Sequence, residues 1–273
     1  MSRIASVLLL SLILVSCSSG PEPVKPGTPA FFWNAATENY LKGDYPKAAE
    51  QLGKILNTDN EYTARARAWR LILLAGLAQG HMEVANSYEI GARQNKNNPT
   101  PFRKETMENR SSASNYATQF VADFAKFSKA AAEPQIPLAF PAPPGSPAKL
   151  AALDKAASGL QPSIGEMEST RRDAIRRSVL MATCEAAGVE NDSAKVTELL
   201  KSGSATVPRD TFLKAMASTL YEQSGLFGKQ KLGRPDHQKH FLNMTSEALK
   251  GVADSKESKE LKKKVEADLK SIS

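Results

Sequence analysis

The residues of this chain that could do chemistry at short range are two histidines, a neighbouring acid, a lone internal thiol and a run of arginines. His237 and His240 stand three apart just behind Asp236, near the start of a predicted helix. Residues three apart share a helical face, so this pair could share a metal with the carboxylate beside it. The sequence does not extend the motif: no His-Glu-x-x-His pattern and no cysteine pair occurs, and Asp236 after Pro235 suits a helix N-cap. No metal site and no cofactor is assigned. Cys184 closes the apolar run Val179-Leu180-Met181-Ala182-Thr183-Cys184. That is the setting of a structural thiol, whereas a nucleophile wants an electropositive, partly open one. Arg171, Arg172, Arg176 and Arg177 form a basic cluster on one helix, with Glu168 and Asp173 in helical reach. It reads as a solvated, ion-paired face, with a docking patch for an acidic partner or a lipid headgroup as the alternative. No Gly-x-Ser-x-Gly elbow, phosphate loop or dinucleotide glycine motif is present. No catalytic residue is assigned, and the chain reads as non-enzymatic.

The elements that would position these residues are helices. Sustained alternation of β-branched residues and Asn-Gly or Asp-Gly turns are missing, while apolar residues recur three and four apart. This predicts an all-α fold, with helices near 30–42, 45–57, 61–79, 82–95, 101–132, 148–158, 164–187, 192–202, 208–225, 236–252 and 256–271. The first four form two helical hairpins of similar pattern. One carries Phe32, Trp33, Tyr40, Gly43-Asp44-Tyr45-Pro46, Ala48, Leu52 and Ile55; the other carries Trp69, Ile72, Gly80, Ala85 and Ala92. Superposing Gly43 on Gly80 brings Phe32 onto Trp69 and Ala48 onto Ala85, a period of 37 residues.

That order of a large residue, a turn glycine and an early alanine resembles the tetratricopeptide repeat, whose period is about 34. The resemblance covers residues 29–95 and implies an α-solenoid of helical hairpins. Further hairpins are expected around Gly188, with Asn191 or Asp192 as cap, and around Gly225, with 256–271 as a closing helix. The resemblance also implies a groove for a partner segment, lined by Trp33, Thr37, Tyr40, Arg67, Arg70, Leu74 and Leu77. Thr37 and Leu74 stand where carboxylate-binding members carry asparagines, so that particular specificity is not carried over.

Two stretches depart from a regular array. Within 101–132, Tyr116, Phe120, Phe124 and Phe127 recur at four, four and three, an aromatic stripe along one helical face. Residues 133–147 then hold six prolines with Ile136, Leu138 and Phe140 between them. A segment both proline-rich and apolar is expected to lie as a strap against the helices, or to dock a partner. It divides the chain into 30–132 and 148–273.

At the N-terminus, Arg3 precedes an apolar run from Val7 to Val15, which has the make-up of a secretory signal peptide. Its core is about nine residues, under half of the roughly twenty that a membrane-spanning helix needs. Leu14-Val15-Ser16-Cys17 resembles the lipobox of bacterial lipoproteins. That likeness implies removal of residues 1–16, acyl chains on Cys17, and residues 17–29, rich in proline, as a tether. Ser18 stands where an inner-membrane retention aspartate would be, which favours the outer membrane, facing the periplasm. The net charge of +7 is modest for 273 residues and carries no nucleic-acid signature. The expectation is an envelope lipoprotein that binds another envelope protein as a scaffold or adaptor, in the manner of helical-repeat lipoproteins of outer-membrane, secretion or pilus assembly. The alternative is a periplasmic small-ligand carrier working with a transporter, its cavity lined by the Tyr116–Phe127 stripe.

Overall fold

The computed structural model describes residues 24–130, 133–143 and 150–272; Cys17, the signal segment and most of the tether lie outside the described residues. Among the described residues there are ten α-helices and one two-stranded sheet. Helix α1 (Pro29–Leu41) starts where Thr28 accepts a hydrogen bond from the Phe31 N–H at 3.2 Å. It ends at Gly43, whose φ of +77° is costly for any residue with a Cβ. Asp44 then caps α2 (Tyr45–Ile55) by accepting from the Lys47 N–H at 3.3 Å. Ala48, Ala49, Leu52 and Ile55 give α2 a single buried face. The first expected hairpin is present.

The second is not. Residues 63–94 form one uninterrupted helix, α3 (Thr63–Gln94), and the expected turn at Gly80 is helical. At 32 residues it is about 48 Å long. Its side chains are buried on nearly every face, from Ala66 and Trp69 through Leu71–Leu74 to Val84 and Tyr88, which is the pattern of a helix enclosed by others. α2 packs on it, and α4 (Thr100–Lys129) returns along it after a short loop. The short α5 (Ala151–Ala157) covers its C-terminal end, and α6 (Ile164–Ala187) crosses its middle.

The glycines explain why the sequence signal misled. A Cβ on Gly76 would stand 2.5 Å from the Cα of Val179, and one on Gly80 would stand 2.7 Å from the Cα of Ile175. Both glycines are there so that the α6 backbone can touch α3, and neither ends a helix.

The remaining elements wrap this pair. α6 opens with a capping box between Ser163 and Glu166 and closes at Gly188 in the left-handed region. Asp192 caps α7 (Ser193–Leu200). A strand β2 (Ala205–Pro208), unexpected from the sequence, pairs antiparallel with β1 (Gln135–Leu138) in the strap, Leu138 facing Ala205 across the ladder. The helices α8 (Arg209–Ser224), α9 (Pro235–Lys250) and α10 (Lys256–Ile272) follow, α8 packed on α6, α9 on α8 and α10 on α9. Asp236 lies inside the first turn of α9, behind Arg234 and Pro235, and does not cap it.

The strap lies in the core. Ile136, Leu138 and Phe140 are buried. The Phe140 ring centroid is 4.8 to 4.9 Å from those of Tyr40, Trp33 and Trp69, and the Tyr40 hydroxyl donates to the Pro141 carbonyl at 2.6 Å. Pro144 and Pro147 lie outside the described residues. One cluster of buried side chains runs from Ala36 to Val252, so the segments on either side of the strap share a core.

Ala favours a helix over Gly by about 1 kcal/mol, whereas overpacking costs about 1–3 kcal/mol. At Gly76 the clash is with backbone and no rotamer relieves it. Gly76→Ala is expected to lower the unfolding free energy by about 2 kcal/mol, read from the denaturant midpoint. Gly165→Ala, where an added methyl meets open space, should leave it unchanged or raise it.

Candidate functional site

The structure does not gather the seven expected groove residues on one open face. Tyr40, Leu74 and Leu77 are fully buried; Tyr40 packs against Trp69 of α3 and Phe140 of the strap. Trp33 is half-buried against Tyr62 and Phe140, with the Arg65 guanidinium 5.5 Å above its ring. The Thr37 hydroxyl donates to the Trp33 carbonyl at 2.9 Å. Arg70 is held by Asp123 at 2.7 Å and by Gln119 at 3.3 Å. Burial keeps the Asp123 carboxyl above its ordinary range despite that guanidinium, so Arg70 belongs to the packing. Arg67 borders a recess of about 610 Å³ between the α2–α3 loop, the end of α4 and β1.

The basic cluster is dispersed in the same way. Arg171 pairs with Glu105 of α4 at 3.1 Å, Arg176 with Asp173 at 2.7 Å, and Arg177 with Glu83 of α3; Arg172 is exposed. Arg171 and Arg177 thus join α6 to α4 and α3, while Arg176 pairs within α6. The aromatic stripe of α4 is core, with Phe127 packed 5.4 Å from Phe212. Cys184 is buried, and that burial, with Asp192 and Glu185 adding to it, pushes the thiol up to about 11. His237 stacks on Phe227 at 5.3 Å. Among the described residues no cluster of His, Cys, Asp and Glu stands where it could hold a metal.

The chemistry-bearing groups converge elsewhere, in a recess of about 490 Å³ between α3, α6 and α8. Three helical stripes build it. α3 contributes Gln79, Glu83 and Asn86, at spacings of four and three. α6 contributes Arg177, Met181 and Glu185, each four residues on. Thr219, Glu222 and Gln223 come from the last turns of α8. The Gly80 contact that draws α6 onto α3 therefore also sets two walls of the recess. Glu83 and Arg177 pair across it. Partial desolvation, with the nearby Glu222 carboxylate adding to it, pushes Glu185 up to about 7, and the same confinement raises Glu222. Gln223 is 1% exposed, and neither its carboxamide oxygen nor its nitrogen has a hydrogen-bond partner.

Such an arrangement can hold a proton on a carboxylate near neutral pH, take an ion pair, and offer one amide acceptor and two amide donors. Of these residues only Arg177 stands out along the chain, as a member of the basic cluster. Gln223 had a weak signal: it continues the buried stripe Phe212, Met216, Thr219, where an apolar residue is expected. Glu83 had none, because the stripe it belongs to exists only if α3 runs through Gly80. Comparison with protein-family models, with curated proteins and with solved structures gives no match to this chain.

Glu185 ordinarily titrates near 4.5 and here near 7. Between those values the folded chain holds a proton that the unfolded chain has released, so this group makes stability fall as pH rises. The charged groups facing it are Glu83 on α3, Arg177 on α6 and Glu222 on α8, with Glu190, Asp210 and Lys214 in the adjoining recess. Thermal unfolding from about pH 5 to about pH 8 should therefore show a larger loss of Tm in the wild type than in Glu185→Gln. His81, lowered by burial, acts with the opposite sign in both proteins and cancels from that comparison. Parallel curves would contradict the raised titration.

Proposed function

We propose that this chain is a non-enzymatic lipoprotein of the bacterial cell envelope, held in the outer membrane by acyl chains on Cys17, and that its helical body faces the periplasm and binds another envelope protein. The observation that carries the proposal is the order of segments at the N-terminus. A charged residue, a nine-residue apolar run and Leu14-Val15-Ser16-Cys17 precede a proline-rich stretch, and the first helix among the described residues begins at Pro29. One acyl chain binds a bilayer only marginally, and more than one anchors it. Among the described residues no helix is long and apolar enough to cross a membrane, so on this reading the lipid is the attachment.

An adaptor needs a rigid body and open, chemically marked recesses. The shared core from Ala36 to Val252 supports the first requirement, and the polar recess between α3, α6 and α8 supports the second. Of the repeat resemblance, this reading retains the α1–α2 hairpin.

In-cell crosslinking followed by affinity capture of the acylated protein from detergent-solubilised envelopes tests the proposal. The wild type should recover a defined envelope protein complex, and Cys17→Ser should leave the membrane fraction and lose that complex. Recovery of the chain alone, or a Cys17→Ser chain that stays membrane-bound, would sink it.

A further inference from the structure

We propose that the α3–α6–α8 recess receives a lysine or arginine side chain of an extended peptide segment, with Gln223 pairing to the peptide group beside it and Glu185 and Glu222 receiving the cation. This inference rests on the adaptor reading and names what the recess would recognise.

Gln223 is the first support. A buried amide with neither end bonded is a destabilising residue to keep in a packed helix. Its donor and acceptor side by side complement the C=O and N–H of a peptide group. Charge is the second. Glu83, Glu185 and Glu222 against Arg177 give the lining a formal charge of −3 + 1 = −2, in a chain whose net charge is +7. Because Arg177 is engaged by Glu83, the two carboxylates on the other side are left facing each other. Burial raises both carboxyls, and the Glu222 carboxylate adds to the rise at Glu185; a bound cation would favour the charged form of each. The adjoining recess of about 510 Å³ shares Glu185 and Glu222 and adds Glu190 and Asp210 against Lys214, so the acidic lining continues along a path that an extended segment could follow. The third support is the apolar share of the lining: Ala75, Ile90, Met181 and Ala182 suit the methylene stem of a long basic side chain.

The test uses the full-length protein in detergent and fluorescence anisotropy of a dye-labelled acetyl-Gly-Ala-Lys-Ala-Gly-amide. The lysine peptide should bind, and its norleucine counterpart should bind about tenfold more weakly. Butylamine, which lacks the peptide group, should compete poorly. Glu185→Gln should weaken the lysine peptide about tenfold. Gln223→Met should also weaken it while leaving Tm unchanged or raised, which separates a binding role from a structural one. Equal binding of lysine and norleucine peptides, unaltered binding by Gln223→Met, or butylamine competing as well as the peptide would overturn the proposal. Partner capture separates this site from the adaptor reading. Capture undiminished in the Glu185→Gln, Gln223→Met double variant overturns the recess and leaves the adaptor standing. A bound lysine peptide with nothing captured from envelopes keeps the recess and removes the adaptor.

Discussion

The contact on which this structure depends is the close approach of two helix backbones. Gly76 and Gly80 of α3 leave no room for a methyl group between themselves and the Cα atoms of Val179 and Ile175 on α6. Dispersion falls steeply with separation, so two helices brought this near gain contact along their whole crossing. That gain is needed because α3 carries buried apolar side chains on nearly every face, which must be covered to stay out of water. α2, α4, α5 and the strap cover the other sides. The same crossing sets Glu83 opposite Arg177 and fixes the width of the recess that Glu185, Glu222 and Gln223 complete.

The strap fastens the first hairpin to this assembly. Phe140 inserts among Trp33, Tyr40 and Trp69, and each of these ring pairs adds about 0.5–1.5 kcal/mol beyond area burial. Its strand β1 ties to β2 at the foot of α8, which brings α8 up to the α3–α6 pair. The arginines serve the same end. Arg70 to Asp123, Arg171 to Glu105 and Arg177 to Glu83 each bridge separate helices, so two of the four clustered arginines of α6 serve to join elements.

The legible parts of the fold were those written in local backbone chemistry. Gly43, Gly188 and Asp192 mark helix ends by left-handed turns and a cap, as read from the chain, whereas Asp236 lies inside the first turn it was expected to cap. Gly80 is the instructive failure. Glycine ends helices and glycine admits close neighbours, and the chain alone does not say which, because the deciding atom belongs to Ile175 almost a hundred residues away. The aromatics failed for a related reason: Trp33 and Tyr40 suit a groove as well as a core, and Phe140 of the strap decides between them. Arg70 was misread because its partner, Asp123, lies on another helix. Of the candidate site, Arg177 stood out in the basic cluster and Gln223 left a trace as a polar residue in a buried stripe.

An uninterrupted α3 through Gly80 is the claim from which both the core and the recess follow. Amide hydrogen exchange across residues 79–86 tests it most directly, since each N–H there bonds four residues back only if the helix runs through. The account predicts that the amides of His81 to Val84 exchange as slowly as those of Leu71 to Leu74, at the rate of the globally protected core. Fast exchange confined to His81–Val84, with slow exchange on both sides, would show a turn there and contradict it.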